Sequence, residues 1–476
     1  VTVTSTSQRA DETRQKTDGF DRRLLIPMVL GSVLNPVNSS IISVSLVAIG
    51  VALGAPPSQT VWLVSALYVA TAIGQPMMGR LIELYGPRPL FLTGAALTGL
   101  AGLVGALAPS LWVLVLARVI LGFGTCAGYP ASMYLLRSES DRTGRSSPAG
   151  VLSVLAIANQ TVIVIGPALG GLLIHLGGWR STFAINIPLA LGCLIVGMIW
   201  LPKSAAPRRE TRSGPAGLAG LDLPGMVLFA ATLISLLLFL MNPHTGHWYL
   251  PVIAVVLAAA LTVRELRTAQ PFLDIRTLAG SRPLLASYAR GLLIAMVANC
   301  FLYGFPQWLE EDRGLDPTTA GLVMLPMSAT AIAVSAIAGR RAEIRGKLLA
   351  GSAAQLAACA LLLAIRPSAP LWLLPAAACA IGIPYGLNNL AIQNAVYHQA
   401  DPQRIGSSAG LLRTFSYLGA IGSTVGTSAF LTPGSGTTGL HHLAWFMLAA
   451  SALFLLITLA DRTLRHTGTG TGTDTA

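Results

Sequence analysis

The stretch GRLIELYGPR occupies residues 79–88, and GRRAEIRGK occupies residues 339–347. Gly79, Glu83 and Gly86 of the first recur as Gly339, Glu343 and Gly346 of the second, each 260 residues further on. Their flanks give the pair its meaning. No Asp, Glu, Lys or Arg occurs between Arg23 and Arg80, between Arg88 and Arg118, between Arg145 and Arg180, between Asp222 and Arg264, or between Arg413 and Asp461. A helix needs ~20 apolar residues to cross a bilayer, so several of these gaps hold two crossings. Across all 476 residues, 53% are hydrophobic and 11% charged, against roughly 25% charged in a soluble domain. An all-α, polytopic membrane protein follows.

The apolar runs place spans near 24–47, 61–78, 90–108, 111–134, 151–175, 181–200, 223–241, 249–263, 284–308, 318–338, 348–365, 370–395, 408–430 and 442–460, fourteen in all. Ala55-Pro56-Pro57 divides the first long gap, and residues 242–247 divide the pair in the middle. Residues 1–21 and 462–476 read as disordered cytoplasmic tails. The first apolar run is too long for a signal peptide, so no cleaved leader is expected. Repeated halves are a common transporter architecture. The repeat divides the chain into a six-helix bundle over 22–200, a linker with two extra membrane helices over 201–282, and a second six-helix bundle over 283–461.

Charge tests this layout. With both termini cytoplasmic, the loops 79–89, 137–148, 201–222, 264–283, 339–347 and 396–407, together with the tails, hold 25 of the 31 Lys and Arg. The outer loops hold only Arg180, Arg313 and Arg366, and three more, Arg118, Arg290 and Arg413, fall within spans. Basic residues concentrate on cytoplasmic loops, so the net charge of +12 reports topology and an inner-membrane location, and no nucleic-acid partner is expected. The five cysteines show neither a disulfide framework nor zinc spacing. No paired carboxylates for metal and pyrophosphate and no phosphate-binding P-loop occur, so neither an intramembrane enzyme nor ATP-driven transport is expected. No cofactor and no metal site is expected.

GRLIELYGPR resembles the signature loop between helices 2 and 3 of the major facilitator superfamily, with Gly79, Glu83, Gly86 and Arg88 at its characteristic positions and Glu83 where the family usually has Asp. LARVILGFG, residues 116–124, resembles the buried-arginine motif through Arg118 and Gly122. GPALGG, residues 166–171, looks like the antiporter motif, and WRSTFAINIP follows at 179–188. Taken in order, the strings are similar to the fourteen-helix drug:proton antiporter branch, over nearly the whole chain from residue 24. The resemblance implies export of a small amphipathic drug or natural product by a monomer drawing on the proton gradient. An uptake permease or lipid flippase on the same fold is the alternative.

Each coupling candidate has a physical reading of its own. Gly166, Gly170 and Gly171 supply small residues for close helix packing, and Pro167 lacks an N–H and permits a bend; ordinary packing and a leak-preventing kink are both open. Glu83 is either a solvated loop carboxylate or a latch onto the N-terminus of a helix beginning near Ser407-Ser408. Buried arginines are expensive and usually functional, which singles out Arg118. Arg290 either snorkels to the cytoplasm or faces the cavity.

One departure bears on mechanism. Drug antiporters of this branch usually carry an Asp in helix 1; here the string is NSSIISVSL and the position is Asn38. No Asp or Glu falls in the middle of any span. Glu310, at the outer end of the ninth, is the remaining carboxylate that partial burial could turn into a proton carrier, against the plainer reading of an exposed cluster with Glu311 and Asp312. The cavity is expected to be polar and mostly uncharged, with Asn35, Asn38, Gln75, Asn159, Gln160, Asn388, Asn389 and Tyr417 as its candidates.

Overall fold

A computed structural model describes residues 21–60, 62–143, 149–203, 222–241, 245–268, 271–273, 275–315, 317–339, 343–432, 434–461 and 463. Both tails beyond these bounds and most of the 201–222 linker lie outside the described residues. The major helices are α1 (Leu25–Leu53), α2 (Trp62–Tyr85), α3 (Pro87–Ala106), α4 (Leu111–Thr125), α5 (Gly128–Thr143), α6 (Ala149–Gly177), α7 (Asn186–Trp200), α8 (Leu223–Met241), α9 (Tyr249–Arg267), α10 (Arg282–Glu311), α11 (Pro317–Ala338), α12 (Ile344–Leu363), α13 (Leu373–Gln399), α14 (Ile405–Phe430) and α15 (Gly436–Ala460). No strand occurs among the described residues.

The breaks follow from local chemistry. Gly54 takes φ 61°, a left-handed conformation that closes α1, and Pro56 and Pro57 prevent its continuation. α6 bends by 43° between Ile163 and Ile165. Pro167 explains the place: it has no N–H to give the Ile163 carbonyl, so the ladder opens there. α4 and α5 form one continuous crossing from Leu111 to Thr143.

Helices α1–α7 pack among themselves, as do α10–α15. The two groups meet along a seam where α2 lies against α14, α6 against α11 and α13, and α5 against α14. α8 packs beside this seam, on both α2 and α14, and carries α9 on its other side. Among the described residues, eleven helices are long and apolar enough to cross a membrane, twelve if the bent α6 counts as one. α2 and α14 are not among them. Their polar residues face the seam rather than lipid, so hydropathy undercounts the two helices that matter most to it.

Gly79 and Gly339 occupy equivalent places. Gly79, in the last turns of α2, has no room for a side-chain carbon because the Gly406 backbone at the start of α14 touches it. Gly339, just after α11, is also pressed, here chiefly by the side chain of Ser153 at the start of α6. Each half thus lays the end of its second helix on the beginning of the other half's fifth.

Candidate functional site

The seam is closed at the end that carries the basic loops. Glu83 is 6% exposed, and its Oε1 accepts the Ser407 N–H at 2.7 Å; Arg80 lies 3.5 Å from the other oxygen. One turn deeper, Gly410 packs on the backbone of Gln75 and Pro76 without space for a Cβ. Thr414 then donates its hydroxyl to the Ala72 carbonyl at 2.7 Å. Small residues on facing helices allow such backbone approach, and here they occur at every turn from residue 406 to 414.

Deeper again, the seam turns polar and aromatic. Tyr417 donates to Asn35 Oδ1 at 2.6 Å, and the Asn35 amide donates to Thr71 at 3.2 Å and Thr125 at 3.0 Å. The Tyr68 ring lies 5.6 Å from that of Tyr417. Tyr129 donates to Gln393 at 3.3 Å, whose amide donates to Asn389 at 3.0 Å. Gln160 reaches the Tyr385 hydroxyl from α6. Thr125 and Tyr129 fall in the middle of the continuous α4–α5 crossing and the other groups lie well inside their helices, so the cluster sits near mid-membrane, between the two halves.

The three arginines inside spans have different surroundings. Arg118 is 2% exposed; it donates to the Leu63 carbonyl at 2.8 Å and to the Asn38 carbonyl at 3.3 and 3.4 Å. It ties α4 to α1 and α2 through backbone oxygens. Arg290 is fully buried, pairs with Asp461 at 2.8 Å and donates to the Ile457 carbonyl at 3.2 Å. It locks α10 to the end of α15 within the second half. Arg413 is partly exposed, and its guanidinium lies 4.0 Å from the centre of the Tyr129 ring.

Several expected cavity residues point elsewhere. Asn38 donates to the Leu34 carbonyl at 2.8 Å and to Asn186 Oδ1 at 2.7 Å, so it joins α1 to α7 within one half. Asn388 donates to Gln355 at 3.1 Å, and Gln355 donates to Ser451 at 3.0 Å, a network internal to the second half. Asn159 bonds Ser32 at 3.4 Å and Leu155 at 2.7 Å. Gln75 is buried in the α2–α14 contact, with its Oε1 unsatisfied. In GPALGG, Gly166 abuts Ser40 and Gly170 abuts Ile41 and Val44, both on α1, whereas Gly171 faces open space. Arg88 donates to the Met198 carbonyl at 2.8 Å, holding α3 to α7. Glu310, in the last turn of α10, is exposed, and the partial burial expected of it is absent.

A pair of carboxylates at the start of α8 and the end of α9 carries no mark in the sequence. Asp222 binds Arg264 at 2.7 Å; its other oxygen and Glu265 Oε1 are buried without a hydrogen-bond partner among the described residues, and both crowd Gly225. The pair stands at the base of α8 and α9. The two residues lie 43 positions apart, with a charge-free run over 223–263 and no motif between them.

Residues 28–424 match the family model described as Major Facilitator Superfamily. The chain belongs to the Major Facilitator Superfamily. It is 32% identical over 405 residues to an uncharacterized MFS-type transporter of Bacillus subtilis, YwoD, covering 84% of this chain and 88% of the relative. It is 29% identical over 487 residues to the lincomycin resistance protein of Streptomyces lincolnensis, covering 97% of each. Among solved structures, the human organic anion transporter MFSD10 superposes with a TM-score of 0.66 at 18% identity, over 93% of this chain and 99% of that one; this likeness concerns the fold. As a Major Facilitator Superfamily transporter, the protein is a multi-pass membrane protein that moves small molecules, and it is not an enzyme.

Proposed function

We propose that this transporter exports a small amphipathic organic compound, a drug or natural product, across the cytoplasmic membrane by alternating access, with both termini cytoplasmic, fourteen membrane crossings and a single chain as the working unit. The observation that carries the reading is the seam: polar and aromatic groups of both halves meet at mid-membrane, and the contacts above them toward the basic end form a removable closure. The concentration of Lys and Arg at that end makes it the cytoplasmic side. The kinship with a lincomycin resistance protein and the GPALGG packing of α6 on α1 support export.

Proton antiport is part of this proposal. Its carrier would be Glu83, the carboxylate inside the closure, or Glu310, exposed at the opposite end. Direction-resolved flux tests the whole reading. Inside-out vesicles that carry the transporter, prepared from an efflux-deficient host and acidified inside, are expected to accumulate a compound from a resistance panel beyond the level reached by vesicles that lack it. Accumulation only by right-side-out vesicles would establish an uptake permease, and translocation of labelled phospholipid alone would establish a flippase. Glu83→Gln and Glu310→Gln then separate the carriers by which one flattens the pH dependence of transport.

A further inference from the structure

Of the three arginines that fall inside the apolar spans, two are held by protein partners. Arg290 has Asp461, and Arg118 has three bonds to two backbone carbonyls. Arg413 has neither. No carboxylate and no hydrogen-bond acceptor engages its guanidinium among the described residues; its contact is the face of Tyr129. It stands eight residues into α14, one turn from Tyr417, and the hydroxyls of Tyr417 and Tyr385 lie within its electrostatic reach. A cation over a ring gains ~0.5–2 kcal/mol from the ring's quadrupole, which orients the group but leaves its five N–H donors without acceptors.

We propose that Arg413 binds the anionic group of the transported compound, so that the substrates are amphipathic carboxylates. The proposal rests on reading the seam as the substrate site. Planar guanidinium takes carboxylate through two parallel hydrogen bonds, and with one face covered by Tyr129 the edge that carries its donors remains for the ligand. Tyr68 and Tyr417, both partly exposed, supply aromatic surface for the body of the molecule, and Asn389 supplies an adjacent amide. No Asp or Glu occupies the middle of any membrane helix, so no resident acid competes for the cation or repels the ligand. An intramembrane charge without a counter-ion is costly, and a carboxylate ligand removes that cost in the bound state. It also settles a question of drive. A monoanion leaving an inside-negative cell gains about fifty-fold in attainable concentration ratio per 100 mV, whether or not a proton moves the other way.

The test is equilibrium binding to full-length protein in phosphatidylcholine nanodiscs, using flufenamic acid (a carboxylate at neutral pH) and its methyl ester. Wild type is expected to bind the acid at least tenfold more tightly than the ester. Arg413→Gln should abolish that preference while leaving ester affinity unchanged, which also shows that the variant is folded, and Arg413→Lys should retain part of it. Equal binding of both probes by wild type, binding of neither, or equal loss of both in Arg413→Gln would overturn the assignment and leave Arg413 as a cross-seam contact. Displacement of the acid by phosphatidylglycerol would make a lipid headgroup the occupant and overturn it as well. Since binding needs no direction of flux, an importer could still pass this test, and an exporter could fail it.

Discussion

Glu83 and Ser407, 324 residues apart in sequence, are joined at 2.7 Å by a carboxylate oxygen and a backbone N–H at the first turn of α14. The N–H is one of those that a helix start leaves without an intrahelical partner, and the local dipole favours a negative charge there. Hydrogen bonds to charged groups contribute about 1.5–3 kcal/mol, enough to set the balance between two conformers. Glu83→Ala is therefore expected to lower transport by about tenfold and, in a Ser407→Cys background, where the buried hydroxyl is replaced by a near-isosteric thiol, to raise the reactivity of that thiol toward a reagent applied from the cytoplasmic side. Undiminished transport with unchanged reactivity would remove the carboxylate from the closure.

The two cross-packed glycines should not tolerate change equally. A methyl group at Gly79 would meet the backbone of Gly406 and Ser407, which cannot rotate aside. At Gly339 it would meet chiefly the side chain of Ser153. Gly79→Ala should cost several-fold more transport activity than Gly339→Ala at equal expression. The opposite order would mean that the α6–α11 contact is the tighter constraint.

Within GPALGG, position should matter more than composition. Gly166→Leu would drive its side chain into Ser40 and is expected to abolish transport, whereas Gly171→Leu points into open space and should transport at close to the wild-type rate. Pro167→Leu restores a donor for the Ile163 carbonyl and should straighten the 43° bend, with loss of activity in a protein that still inserts. Similar behaviour of the Gly166 and Gly171 variants in a flux assay would count against specific packing on α1.

Asn38 is built as a donor. An acid in its place would present an oxygen to the Leu34 carbonyl and to Asn186 Oδ1, both acceptors. Asn38→Asp is expected to destabilise the detergent-solubilised protein by about 1–3 kcal/mol at neutral pH. Protonation returns an O–H donor, so the deficit should shrink as pH falls. A melting temperature equal to that of wild type across the pH range would show that Asn186 reorients at no cost.

Topology can be checked directly. Reporters fused after Arg212 and Arg345 should report cytoplasm, and one after Gly434 should report the outside. Reversal at two of the three sites would be incompatible with fourteen crossings.

Periodicity and charge made the helical fold and the repeat legible, because both follow from bilayer thickness and loop chemistry. The sequence also pointed Glu83 toward a helix beginning near Ser407, because a carboxylate in a glycine-rich loop and a Ser-Ser helix start are chemically complementary. Facing was not legible. Asn388 and Asn389 are adjacent in the chain, yet one is sealed inside the second half and the other borders the seam. In apolar helices every polar residue stands out equally, whether it meets a neighbour or a path. Tyr68, Tyr129 and Tyr385 carry no signal for the converse reason: aromatic groups in lipid are ordinary until the opposite helix is known. Arg413 was visible as a charge, but its lack of a partner is a property of three dimensions.

Gly79 and Gly339 do equivalent work in the two halves, but their acidic neighbours do not. Glu83 is drawn into the contact, while Glu343 is exposed at the start of α12. The duplicated joint therefore has a bolt on one leaf and a plain hinge on the other. Opening toward the cytoplasm would begin along α2 and α14, with α6 and α11 turning as the pivot, and α8, resting on both bolted helices, would ride with whichever moves.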